Sequence, residues 1–164
     1  VADDAGFDIA WFTEHHFTNF SLVPSPHLLA AYMAPQTKRI KFAGGVHVLA
    51  LYNPARFAEE VAFLDDVTDG RFVLGLGIGF QKAEFERLGY RLEDARPRFH
   101  EAIDILERAL GSDSFSYQGK FNTIPTSFMP YRPKTMLPVY IAGGPDDGDL
   151  QMRMACAEIG RAHV

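Results

Sequence analysis

One cysteine, Cys156, leaves the 164-residue chain no disulfide of its own and points to a reducing, cytoplasmic compartment. No apolar run approaches the roughly 20 residues of a membrane span, so no membrane role is expected. Basic residues are the scarcer charge: 16 Lys and Arg against 21 Asp and Glu give a net charge of −5, which offers nucleic acid no basic face. A metal centre is not expected either. His15 and His16 are adjacent on an extended segment, where neighbours point apart, and no third ligand accompanies them at suitable spacing. Low-complexity tracts are also missing. With 47% hydrophobic and 23% charged residues, the composition is that of one globular domain.

What the chain has is glycine placed in strands. Residues 72–80, FVLGLGIGF, begin as a β-branched and aromatic run behind Gly70 and dissolve into alternating glycines. The pattern reads as a buried strand whose C-terminal end lets another body come close, because Gly75, Gly77 and Gly79 carry no side chain. Strand candidates start at Asp8, Ile40 and Phe72, 32 residues apart each time, about the length of one strand, one helix and two loops. A fourth, 138–142, follows a long helix and a proline-rich insertion. Strands alternating with helices predict an α/β fold with a parallel sheet.

Between the strands, helices are expected over 27–36, from an Asn53 cap with Pro54 in the first turn to Gly70, and over 94–110 with Phe99, Ile103, Leu106 and Leu110 on one face. A short helix is expected in 81–90. Gly44 and Gly45 interrupt the second strand, which predicts a bulge beside a ligand. Gln118-Gly119 between aromatic residues reads as a small hairpin, and 124–138 as a proline-rich loop. The chain starts at Val1 inside what reads as a helix tail, so a preceding strand is expected to be missing. Residues 158–164, EIGRAHV, fit neither apolar periodicity nor turn chemistry and are expected to be a non-native C-terminal scar.

In parallel α/β folds ligands bind at the carboxyl ends of the strands. The residues there are Glu14, His15 and His16; Gly44, Gly45 and His47; Gly77, Ile78 and Gly79; and Gly143 and Gly144. A dinucleotide fingerprint fails, since Phe80 stands where the third glycine of G-x-G-x-x-G belongs. A closed barrel is therefore favoured over an open nucleotide-binding sheet.

Three stretches, TEHHF, LYNPARFAEEVAFLDDVTDGRFVLGLGIG and PVYIAGG, together resemble the bacterial luciferase-like monooxygenase family over residues 1–157. The resemblance implies a partial (β/α)8 TIM-type barrel, approximately strands two to five with their helices, and an incomplete barrel leaves an exposed edge. It implies FMN as cofactor, with the deazaflavin F420 as the alternative, and NAD(P)H as indirect donor through a flavin reductase. The implied reaction uses reduced FMN and O₂ to oxygenate a small organic substrate via a C4a-peroxyflavin. The alternatives are an F420-dependent oxidoreductase, a non-catalytic flavin-binding relative, and a truncated product without activity.

The resemblance also assigns residues. His15 aligns with the family's proton-handling histidine, and Glu14 and His16 are expected to orient it. Gly45–Val46 falls where luciferases carry a non-prolyl cis peptide under the isoalloxazine ring, and His47 either touches that ring or fills the barrel. Gly77 replaces a reactive cysteine and Ile78 a phosphate-binding arginine. The phosphate is then left to backbone N–H groups of 78–80 and 143–145 and to Lys82. Pro145 stands where a phosphate-binding serine is frequent. Trp11 and Phe12 alternate, so that one faces the barrel and the other the helices, which makes Trp11 a candidate for the substrate wall or for the packed core. Asp65, Asp66, Asp69 and Arg71 are read as ties between helix and strand. Dimerisation is usual in the family, and the small Ala55, Ala58 and Ala62 offer a packing face for it.

Overall fold

A computed structural model describes residues 2–134 and 136–142. In chain order, β1 (Ile9–Phe12) is followed by α1 (Pro26–Met33), β2 (Lys41–Gly44), β3 (His47–Val48), α2 (Pro54–Val67) and β4 (Phe72–Gly77). Then come α3 (Lys82–Arg87), α4 (Ala95–Gly111), the hairpin β5 (Ser114–Gln118) and β6 (Thr123–Phe128), and finally β7 (Val139–Ile141). Gly143, Gly144, Pro145 and the expected scar lie outside the described residues. No helix among the described residues is long and apolar enough to cross a membrane.

All main-sheet pairings are parallel: β1 pairs β2, β2 and β3 pair β4, and β4 pairs β7. The register runs Phe12 to Gly44, Phe42 to Phe72, His47 to Leu76 and Leu74 to Val139. Spatial order therefore follows sequence order without the reversal that marks a doubly wound sheet. This is an arc of a TIM-type barrel, with β3 continuing β2 beyond the cis Gly45–Val46 bond.

The two faces of the arc have opposite compositions. On the helix side Phe42, Phe72, Leu74 and Leu76 are fully buried and join Phe57, Val61 and Phe99 in one core. Each such side chain contributes about 1.5–3 kcal/mol by leaving water. The concave side carries Trp11, Ala43, Gly75 and Tyr140, and Trp11 meets Tyr140 edge to face at 5.5 Å. Gly75 and Gly77 make room for neighbouring parts of the chain. A Cβ at Gly75 would lie 1.8 Å from the Gly44 carbonyl oxygen, and one at Gly77 would lie 2.4 Å from a Val46 methyl.

Helix α2 starts as its sequence dictates, with the Asn53 side chain accepting from the Arg56 N–H at 3.1 Å and Pro54 in the first turn. Phe57, Val61 and Leu64 are buried, but Val67 and Phe63 are about half exposed, so the inward stripe is narrow. Ala58 and Ala62 are fully buried within this chain. That stripe lies in the chain's own core and offers a second copy nothing. Arg71 donates to the carbonyls of Thr68, Ile40 and Ala34, and the Lys134 backbone N–H donates to Asp65, in line with structural duty for this cluster. The hairpin extends through Phe128, so the proline-rich connection is shorter than expected. Its turn is gripped by the Glu101 carboxylate, which accepts from the backbone N–H groups of Lys120, Phe121 and Asn122.

Candidate active site

A cavity of about 420 Å³ opens at the carboxyl ends of the strands. Thr13, Glu14 and His15 reach it from the end of β1, Gly45, Val46 and Val48 from the bend around β3, and Gly77 to Phe80 from the end of β4. Glu84 of α3 and Ala142 after β7 complete the wall.

His15 is the imidazole in this wall. Its Nδ1 lies 3.0 Å from Oε1 of Glu84, a carboxylate only 2% exposed that also accepts the His16 backbone N–H at 2.9 Å. The Gln81 amide nitrogen is 3.0 Å from the same Nδ1. A carboxylate oxygen accepts, so the Glu84 contact calls for a hydrogen on Nδ1, and in that tautomer the Gln81 amide presents its oxygen, not its nitrogen, to the ring. Phe20 and Phe80 flank the ring at centroid distances of 5.4 and 6.5 Å.

The orienting group differs from the one expected. Glu14, also buried, turns away from His15 and accepts from Tyr52 Oη at 2.7 Å, the Val48 N–H at 3.1 Å and His16 Nε2 at 2.8 Å. Its bond raises the pKa of His16 above the usual imidazole value, while burial and the Glu14 carboxylate push the Tyr52 phenol upward. Glu14 and His16 thus fasten the end of β1 to β3 and to Tyr52, two residues before α2. Glu84 orients His15, and its position in a short helix 69 residues away gave no local signal.

His47 requires a second correction. The bend turns its ring to the helix side, fully buried among His27, Tyr52, Phe57 and Phe72 at centroid distances of 5.2 to 6.3 Å. Nδ1 donates to the Gly75 carbonyl at 3.0 Å, Nε2 has no hydrogen-bond partner among the described residues, and burial lowers the pKa to about 4. Gly44 lies against this ring, where a Cβ would come 2.2 Å from Nδ1. Neither residue lines the cavity, whereas Gly45, Val46, Gly77, Ile78 and Gly79 do. Trp11 stands on the concave face beside Gly45, and Phe12 faces the helices as alternation requires.

The matching family model is that of luciferase-like monooxygenases, over residues 1–155. The chain belongs to this family. It is 42% identical over 144 residues to the uncharacterised protein y4vJ of Sinorhizobium fredii, covering 87% of this chain and 41% of that protein. It is 35% identical over 111 residues to 4-hydroxyprotoasukamycin monooxygenase of Streptomyces nodosus subsp. asukaensis, covering 68% of this chain and 30% of the relative. Among solved structures, the oxygenating constituent of 3,6-diketocamphane monooxygenase of Pseudomonas putida, in complex with FMN, superposes with a TM-score of 0.79 at 27% identity. That superposition covers 94% of this chain and 46% of the other. The chain spans less than half the length of these relatives.

The described wall, with Gly45, Val46, Gly77, Ile78 and Gly79 in its lining, offers the apolar surface that the ring end of a flavin would need. It offers no cation to a phosphate. Lys82 pairs with Glu86 at 3.6 Å outside the cavity, and Glu14 and Glu84 are the charged residues among the described lining. Among the described residues no group of three metal ligands occurs.

Proposed function

We propose that this protein is a flavin-dependent monooxygenase in which His15 moves protons beside the ring of reduced FMN. The observation that carries the reading is the cavity-lining imidazole held through Nδ1 by the buried Glu84, which leaves Nε2 free to accept or return a proton. Bound flavin supplies two electrons to O₂, one oxygen atom passing to the organic substrate and the other leaving as water. The chain's own part is the apolar wall that excludes water and the oriented base. NAD(P)H as remote donor through a separate reductase, and a cytoplasmic setting, belong to the same proposal.

The test uses the full-length protein, titrated anaerobically with reduced FMN and with reduced F420, then exposed to ¹⁸O₂ with a panel of organic substrates. The expected result is FMN binding and one ¹⁸O in the product. Binding of F420 alone, with substrate turnover but no oxygen consumption, transfers the barrel to deazaflavin hydride transfer. Flavin binding without turnover leaves a non-catalytic relative.

A further inference from the structure

The rim of the cavity is more specific than its floor. Phe20 and Phe80 are 68% and 76% exposed, yet both lie near the His15 imidazole, with ring centroids at 5.4 and 6.5 Å. Phe20 is held there. The 17–23 loop that carries it is tied down by Arg87 donating to the Phe17 carbonyl, the His15 N–H donating to the Val23 carbonyl, and a hydroxyl contact between Thr13 and Ser21. Phe80 lines the cavity itself. Both carboxylates in the described lining are satisfied, Glu14 by three donors and Glu84 by two, and no Arg or Lys accompanies them.

We propose that the substrate is an uncharged aromatic molecule whose ring packs against Phe20 and Phe80, with its reacting atom beside His15, and that these two phenylalanines set the specificity. The inference rests on the reading of the site given above. Aromatic faces prefer offset or edge-to-face partners over saturated hydrocarbon of equal area. A preformed pair of rings has little ordering entropy left to lose on binding. An anionic group brought into the same wall meets two negative charges and no cation, so it is rejected.

The experiment is calorimetric binding of three probes to the full-length, cofactor-free protein: 2-acetylnaphthalene, its fully saturated decalin counterpart, and 2-naphthoate. The aromatic ketone is expected to bind tighter than the saturated one by on the order of fivefold, with the carboxylate weaker still by about tenfold or more. In Phe20→Leu and Phe80→Leu, exposed positions where the fold has little at stake, the aromatic preference should vanish while the melting temperature stays. Equal binding of both ketones, binding of naphthoate as tight as the ketone, an unaltered preference in both variants, or no binding at all overturns the proposal. Ring preference without flavin binding sinks the monooxygenase reading instead, and flavin-dependent oxygenation without ring preference sinks this one alone.

Discussion

His15 and His47 flank the same stretch of sheet, one past the end of β1 and the other opening β3, and each has Nδ1 fixed at 3.0 Å. The acceptors differ. His15 donates to a carboxylate and lies in the cavity wall, whereas His47 donates to the Gly75 carbonyl and points its other nitrogen into a wall of rings. A carboxylate stabilises the imidazolium that a proton-moving histidine must pass through, and a dry apolar pocket opposes it. The side of the sheet on which a ring emerges therefore separates a residue fit for chemistry from one fit for packing.

The largest expected effect comes from removing the first of the pair. His15→Ala in the full-length protein is expected to lower substrate-dependent turnover by about 10²–10⁴-fold, the usual span of general acid–base catalysis, with FMN affinity changed less than about twofold. Added imidazole should restore part of the rate. His47→Leu, compared in the same single-turnover assay, should leave the chemical step within about threefold of wild type, since its ring never reaches the cavity. Equal losses in both variants would erase the distinction.

His47 should show itself in stability, at acid pH. Its pKa falls from 6.5 to about 4 on folding, so between those values the unfolded chain binds a proton that the folded chain refuses. The stability His47 provides is full above pH 6.5 and is lost as pH falls toward 4, by about 3 kcal/mol in all. His27, lowered by burial, adds in the same direction. His16, raised by Glu14, works the other way and loses its contribution as pH rises through its folded pKa. Urea melts between pH 7 and 4 should steepen through this window in the wild type and flatten in His47→Leu. An NMR titration placing the His47 ring near 6.5 would contradict its dry setting.

Much of this contrast was legible in the sequence, and the remainder fails for identifiable reasons. Strand starts 32 residues apart, the Asn53-Pro54 cap and the alternating four- and three-residue spacing of α4's apolar positions encode local geometry, and local geometry is what periodicity reports. His15 could be placed because it directly follows a strand. His47 could not, because period-two counting breaks at Gly45–Val46, and after the bend the ring emerges on the opposite side from the one the count suggests. The glycines were recognised as sites of close approach, but the partner was the chain's own Gly44 carbonyl and Val46 side chain. Glu84 was invisible for a different reason: one of the two carboxylates in KAEFER looks like any solvated helix charge until the tertiary fold buries it at 2% exposure.

The smallest and most discriminating test falls on Glu84. Glu84→Gln keeps the shape and an acceptor oxygen for His15 Nδ1 and the His16 N–H but removes the negative charge that holds the imidazole in one tautomer and orientation. Turnover should fall by about tenfold to a hundredfold, the scale of a misplaced catalytic group, while the KM for substrate and the affinity for FMN stay near wild type. A structural role would predict something else, a general loss of stability and binding that adds to any other mutation. The double variant His15→Ala, Glu84→Gln decides between them. If Glu84 acts through His15, nothing is left for it to orient and the double variant should be no slower than His15→Ala alone. If the two losses multiply, Glu84 serves the fold or another group, and His15 draws its orientation from Gln81 and the backbone instead.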